Sequence, residues 1–188
     1  MLYFFKIVIT SAITATVLGK VIDIIKDQFQ FKRFTKFEAL SLAVALEGYV
    51  ITCADKIIYH DLADEHKRDV GSFIGDLPKL PELCVSDKLY LFGKSKIINR
   101  ILVLPQYIMQ KNQDASFYWD FVGDLGASRN MARFCCAKVG KECAFLAKDL
   151  RKSYHLPDRP LVFGEYNVVD HIEKTIKDYD NLNKIEQK

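Results

Sequence analysis

Between Leu2 and Phe37 the chain reads LYFFKIVITSAITATVLGKVIDIIKDQFQFKRFTKF, and how this stretch is read decides the fold. From Leu2 to Ile25 only Lys6, Lys20 and Asp23 are charged, and Ile7 to Gly19 carries no charge at all. A membrane span needs about 20 largely apolar residues, roughly 30 Å of helix. Leu2 to Val21 supplies that length if the stems of Lys6 and Lys20 carry their ammonium groups to the two interfaces. Tyr3, Phe4 and Phe5 then lie at one headgroup region. Thr10, Ser11, Thr14 and Thr16 weaken the hydropathy, and the alternative is a helix buried in a protein core. A cleaved secretory leader fits less well, because no A-x-A site follows the apolar run.

Working outward, the next segment, Phe29 to Phe37, alternates aromatic with polar or basic residues. It reads either as a membrane-surface anchor, with rings at the interface and Lys32, Arg33 and Lys36 toward anionic lipid, or as an ordinary connection between two helices. Lys20, Lys26, Lys32, Arg33 and Lys36 outweigh Lys6 on the other side. The positive-inside rule therefore places the C-terminal body in the cytoplasm and the N-terminus outside. The expected division is an anchor over 1–28, a helical body over 29–182 and a frayed tail over 183–188.

A second helix is predicted over 35–59, with Thr35 as N-cap and Glu38 as its capping-box partner. Leu42, Leu46, Tyr49, Cys53 and Ile57 share one face, and Leu40, Val44, Ile51 and Ile58 share nearly the opposite one. Glu47 and Asp55 make a second membrane span costly, so this helix belongs to the soluble core. Pro78, Pro81 and the glycines of 70–83 read as an extended loop, the expected contact for a protein partner. A third helix is expected from Ser86 or Asp87 to Leu104, kinked or restarted at Pro105. A fourth over 124–154 presents Met131, Cys135, Val139, Cys143, Leu146 and Leu150. A last one over 168–182 has Asn167 as N-cap and turns Val169, Ile172, Ile176 and Tyr179 inward. No segment sustains a period of two, so the fold reads as all-α: an N-terminal membrane-anchoring helix followed by an antiparallel bundle of about four helices.

The whole chain, 188 residues with net charge +3 and 49% hydrophobic residues, excludes wholesale disorder and is too weakly basic to argue for nucleic acid. Lys138, Lys141, Lys148 and Lys152 form a partial basic stripe, interrupted by Glu142 and Asp149, and read as a solvated face. Five cysteines, Cys53, Cys84, Cys135, Cys136 and Cys143, make a poor disulfide framework and fit reduced thiols. The aromatic run Phe117 to Phe121 reads as a plug over one end of the bundle.

Chemistry, if any, is expected from Glu47, Asp55, His60, Asp61 and His66. Carboxylates and imidazoles of this kind can hold a divalent ion that activates water, as in a metal-dependent hydrolase. The favoured reading gives them no catalytic role, with Glu47 paired to an arginine such as Arg133 or Arg100 and 61–69 a solvated helix end. No nucleophile elbow, phosphate loop or zinc-protease motif is present, and no cofactor or metal is expected.

The segments Leu42-Ala-Val-Ala-Leu-Glu47, Cys53-Ala-Asp-Lys56, Leu150-Arg-Lys-Ser-Tyr154, Pro157 and Phe163-Gly-Glu-Tyr-Asn-Val168 resemble a family of uncharacterised small bacterial proteins with one N-terminal membrane helix. The resemblance implies a bacterial inner-membrane protein with a tethered helical body, and it brings no catalytic residue with it. The expectation is thus a single-pass binding protein that meets membrane lipid and a protein partner, of open oligomeric state.

Overall fold

A computed structural model describes the backbone of residues 2–65, 76–92, 94–122 and 124–186, and the side chains of these apart from 2–18, 63–65, 91–92, 122, 183 and 185–186. Among the described residues the fold is all-α with one small hairpin: α1 (Leu2–Glu65), α2 (Asp87–Phe92), α3 (Ser95–Phe117), a π-helical turn (Tyr118–Val122), α4 (Leu125–Ser153), β1 (Val162–Phe163), β2 (Tyr166–Asn167) and α5 (Val168–Glu186). Packing divides the chain into two units, Met1–Glu38 and Ala39–Lys188, where a boundary after residue 28 is expected from the sequence.

The first unit corrects the expectation of a connection near Thr35. One helix runs without interruption through 29–37, and Thr35 is no N-cap: its hydroxyl donates to Phe31 O at 3.1 Å and to Lys32 O at 3.2 Å. Such back-bonding to carbonyls three and four residues earlier is what a threonine does inside a helix. No proline occurs before Pro78 and no glycine lies between Gly19 and Gly48, so nothing in 20–47 breaks the ladder.

The second unit is built around α4. Its stripe of Cys135, Val139, Cys143, Leu146 and Leu150 is buried, as are Leu42, Leu46, Tyr49, Cys53 and Ile57 on α1. On the opposite face of α1, Val44 is exposed and Leu40, Ile51 and Ile58 are half-buried, so the helix is not enclosed all round. Asp124 caps α4 by accepting from Gly126 N at 2.8 Å. The helix closes in a Schellman turn, with Leu156 N donating to Arg151 O at 2.8 Å and His155 at a φ of 50°. Asn167 caps α5 through Val169 N at 3.1 Å. Lys141 meets Glu173 at 3.2 Å, and the Phe134 ring stacks on Tyr179 at 4.1 Å, so α5 runs antiparallel to α4. The hairpin turns at Gly164, whose φ of 60° suits glycine.

Two further expectations change. The third helix is two pieces: α2, opened by Ser86 Oγ accepting from Leu89 N at 3.1 Å, and α3, which carries Pro105 inside it and continues to Phe117. The aromatic run is no plug. Its π-helical turn leaves Phe117 and Phe121 stacked on each other at 5.0 Å and exposed, with only Tyr118 and Trp119 half-buried. The Ser128 hydroxyl donates to Tyr118 O at 3.0 Å, satisfying a carbonyl at this turn.

Gly140 sets the approach of α1 and α5 to α4. A Cβ there would stand 2.9 Å from Ile172 Cδ1 and 3.2 Å from Cys53 Cβ. Gly140→Ala is therefore expected to lower stability by about 1–2 kcal/mol despite alanine's better helix propensity. In that background Ile172→Val, which removes the clashing methyl, should cost less than it does alone; equilibrium denaturation of the three variants checks this.

Candidate functional site

Glu47 on α1 is 3% exposed and is the one charged residue between Glu38 and Asp55. A carboxylate so placed must be matched or neutral. The match is Arg151 at the end of α4, not Arg133 or Arg100: its Nε donates to Glu47 Oε1 at 2.5 Å and an Nη donates to Oε2 at 2.9 Å. The remaining Nη donates to Pro157 O at 2.6 Å, so one guanidinium ties α1, α4 and the 156–161 segment together. The two-pronged geometry suits arginine and no other cation. Arg159, half-exposed, adds a donor to Glu47 Oε2 at 3.4 Å.

Above this pair lies a cavity of about 590 Å³, in the size range of small-molecule sites. Its apolar lining comes from Ala144, Phe145 and Ala147 of α4, Leu161 and Val162 at the start of the hairpin, and Val169 of α5; its charged lining comes from Lys141, Lys148, Asp158, Arg159, Asp170 and Glu173 around the Glu47–Arg151 floor. Of these residues Glu47 stands out as a site in the sequence, whereas Arg151, Arg159, Asp158 and Asp170 do not. A signal for Arg151 existed: it follows Cys136, Gly140 and Ala147 at helical spacing, on the small-residue side of α4 that faces α1.

The rest of the acidic and histidine cluster lies elsewhere. His60 is thirteen residues beyond Glu47 on the same helix, about 20 Å along its axis, so the two cannot share one ion. Asp61 is engaged by Arg133 at 2.5 Å, and Arg100 bridges Glu142 and Asp149 at 2.9 and 3.2 Å. His60 is 1% exposed, and among the described residues neither ring nitrogen has a hydrogen-bond partner. Burial, then the positive charges of Lys56, Arg133 and Arg129, pulls its pKa down to about 4, so it is neutral at ordinary pH. His171, ring centroid 5.5 Å from that of Tyr166, is also held below its usual value, chiefly by burial. Asp55 is exposed, and His66 lies outside the described residues. Among the described residues no three His, Cys, Asp or Glu side chains stand together as a metal site.

The remaining expected sites also resolve. All five cysteines are free thiols; burial pushes Cys136 and Cys143 up to about 12 and Cys135 to about 11, so these thiols stay protonated. The loop read as a partner contact is docked in its described part: Tyr49 Oη donates to Pro78 O at 2.7 Å, Asn112 Oδ1 accepts from Leu77 N at 2.8 Å, and Leu77, Leu80, Leu83 and Val85 pack on the core. On the basic stripe, Lys138 covers the Phe134 ring and Lys141 is bridged to Glu173.

The expected membrane-interface residues divide by position. Lys20, Lys32, Arg33 and Lys36 are exposed on α1, while the side chains of Tyr3 and Lys6 lie outside the described residues. Because the helix is continuous, Lys32 to Lys36 stand about 18–24 Å beyond Lys20 along its axis, more than two Debye lengths at physiological salt. For an upright helix only Lys20 and Lys26 are within reach of headgroups. Within Gly19–Leu62 one 18-residue window is apolar enough to cross a membrane, and half of it is buried in the protein, as a core helix would be.

Comparison with protein families, with curated proteins and with solved structures finds no match for this chain.

Proposed function

We propose that the chain is a single-pass, membrane-tethered helical binding protein that acts without catalysis, its N-terminal helix held in a bacterial inner membrane and its body, with the cavity above Glu47 and Arg151, in the cytoplasm. The observation that supports the anchor is the row of uncovered apolar side chains on α1: Val21, Ile22, Ile24, Ile25 and Phe29 are 46–64% exposed, directly after an apolar helical stretch of span length. Water is a poor environment for so many large apolar groups in one run, and lipid is the simplest cover for the N-terminal part of it. The binding reading of the body rests on the ligand-sized cavity above Glu47 and Arg151. Anchoring would raise the effective concentration of the body toward partners in the same membrane.

Fractionation tests this. The full chain is expected in the membrane pellet, resistant to alkaline carbonate and released by detergent, while a variant lacking residues 1–27 is soluble and keeps the melting temperature of the detergent-solubilised full chain. A full chain that stays soluble without detergent, together with a truncated one that fails to fold, would place the first helix in a soluble core. The hydrolase reading would return if purified protein held stoichiometric metal that is lost on both Glu47→Ala and His60→Ala.

A further inference from the structure

On α4 and α5 the charges lining the cavity are sorted: α4 carries Lys141, Lys148 and Arg151, and α5 carries Asp170 and Glu173. Lys141 and Glu173 bridge α4 to α5 at 3.2 Å and close one end. Arg151 is spent on Glu47 and Pro157 O. What remains toward the open side is Lys148 on α4 and the exposed Asp158 and half-exposed Arg159 of the 156–161 segment, against Asp170 in the first turn of α5. Lys148 lies two turns beyond Lys141, Asp170 lies one turn before Glu173, and α5 runs antiparallel, so both stand on the same side of the Lys141–Glu173 bridge, Lys148 about 6 Å further along. Neither Lys148 nor Asp170 has an ion-pair partner among the described residues. The apolar lining of the same cavity includes Phe145 and Val162, each about half-exposed.

We infer that the cavity takes a small zwitterionic amphiphile, with an anionic group between Lys148 and Arg159, an ammonium at Asp170 and an apolar portion against Phe145 and Val162. A purely anionic ligand would meet Asp170 as a like charge, and a purely cationic one would meet Lys148 and Arg159. Only a ligand carrying both signs matches both walls, and like-charge contact is a strong discriminator at such sites. The same chemistry is offered by a short apolar peptide with free termini and by a phosphoethanolamine lipid head. The inference rests on the binding reading of the body and not on the anchor.

The test uses the full chain in lipid nanodiscs. Calorimetric titration, with methyl NMR of Val162 and Ala147 as the site reporter, compares trileucine having free termini with its N-acetyl form, its C-amide form and the doubly capped peptide, and with lysophosphatidylethanolamine. The zwitterionic peptide, the lysolipid or both should bind at least about tenfold more tightly than any capped form, and whichever of the two binds identifies the source. Lys148→Glu and Asp170→Lys should each remove that preference, and the double exchange should restore it, since the ligand can turn round. Capped peptides that shift Val162 as strongly as trileucine would overturn the zwitterion while leaving a binding cavity. No shift of Val162 or Ala147 with any probe would remove both.

Discussion

Glu47→Ala is expected to be the most damaging single substitution in the body, lowering stability by about 3–5 kcal/mol and the melting temperature by roughly 6–20 °C. The cost does not come from the strength of the pair. Two ions taken out of water repay most of their desolvation to each other, so the net worth of Glu47 and Arg151 together is small. Removing the carboxylate alone strands a guanidinium that is 7% exposed, with one hydrogen bond to Pro157 O where it had three. The paired replacement Glu47→Leu with Arg151→Met should therefore recover most of the loss. Thermal denaturation of wild type, Glu47→Ala and the double variant decides this, and a double variant as unstable as the single one would show that the pair stabilises the fold outright. Arg159 is half-exposed and adds little, so Arg159→Ala should change stability by less than about 1 kcal/mol.

Stability should fall by about 3 kcal/mol as the pH drops from 6.5 to 4, because of His60 alone. Its folded pKa of about 4 lies below the ordinary 6.5. Across that window the unfolded chain binds a proton that the folded one refuses, so the contribution is complete above pH 6.5, lost on acidification and constant below pH 4. His171, depressed by burial, adds a loss of the same sign. Urea denaturation at pH 7.5, 5.5 and 4.5 should show a steep dependence in wild type and a much flatter one in His60→Leu, which also removes two buried nitrogens that have no partner among the described residues. At pH 4.5 the variant should be the more stable protein. An unchanged slope in His60→Leu would mean that the histidine is charged or solvated in the folded state.

These two side chains show what the sequence makes legible. That Glu47 needs a cationic partner follows from its being the one charge in the apolar stretch 39–54. Which cation does not, because Arg151 is 104 residues away and reaches Glu47 only through the register of α4 against α1. The stripes of α4 and α5 and the Asn167 cap are local, and local periodicity and capping suffice to find them. The continuity of α1 was hidden by the aromatic and basic alternation of 29–37, which suggests a surface edge although no residue in it breaks a helix. The π-helical turn at Tyr118 has no sequence marker of its own, and the aromatics around it suggest burial where Phe117 and Phe121 are exposed. The cavity depends on the 156–161 segment folding back onto α4, held by the Arg151 bond to Pro157 O, and no local pattern announces that contact.

Spin labels read lipid immersion of the N-terminal helix directly. With Cys84, the exposed native thiol, changed to serine, a label at Thr14→Cys and one at Gln30→Cys are compared in nanodiscs by power saturation with oxygen and with a water-soluble nickel complex. Oxygen is expected to relax the label at 14 strongly and nickel hardly at all, with the reverse at 30. Equal and high nickel access at both positions would contradict immersion.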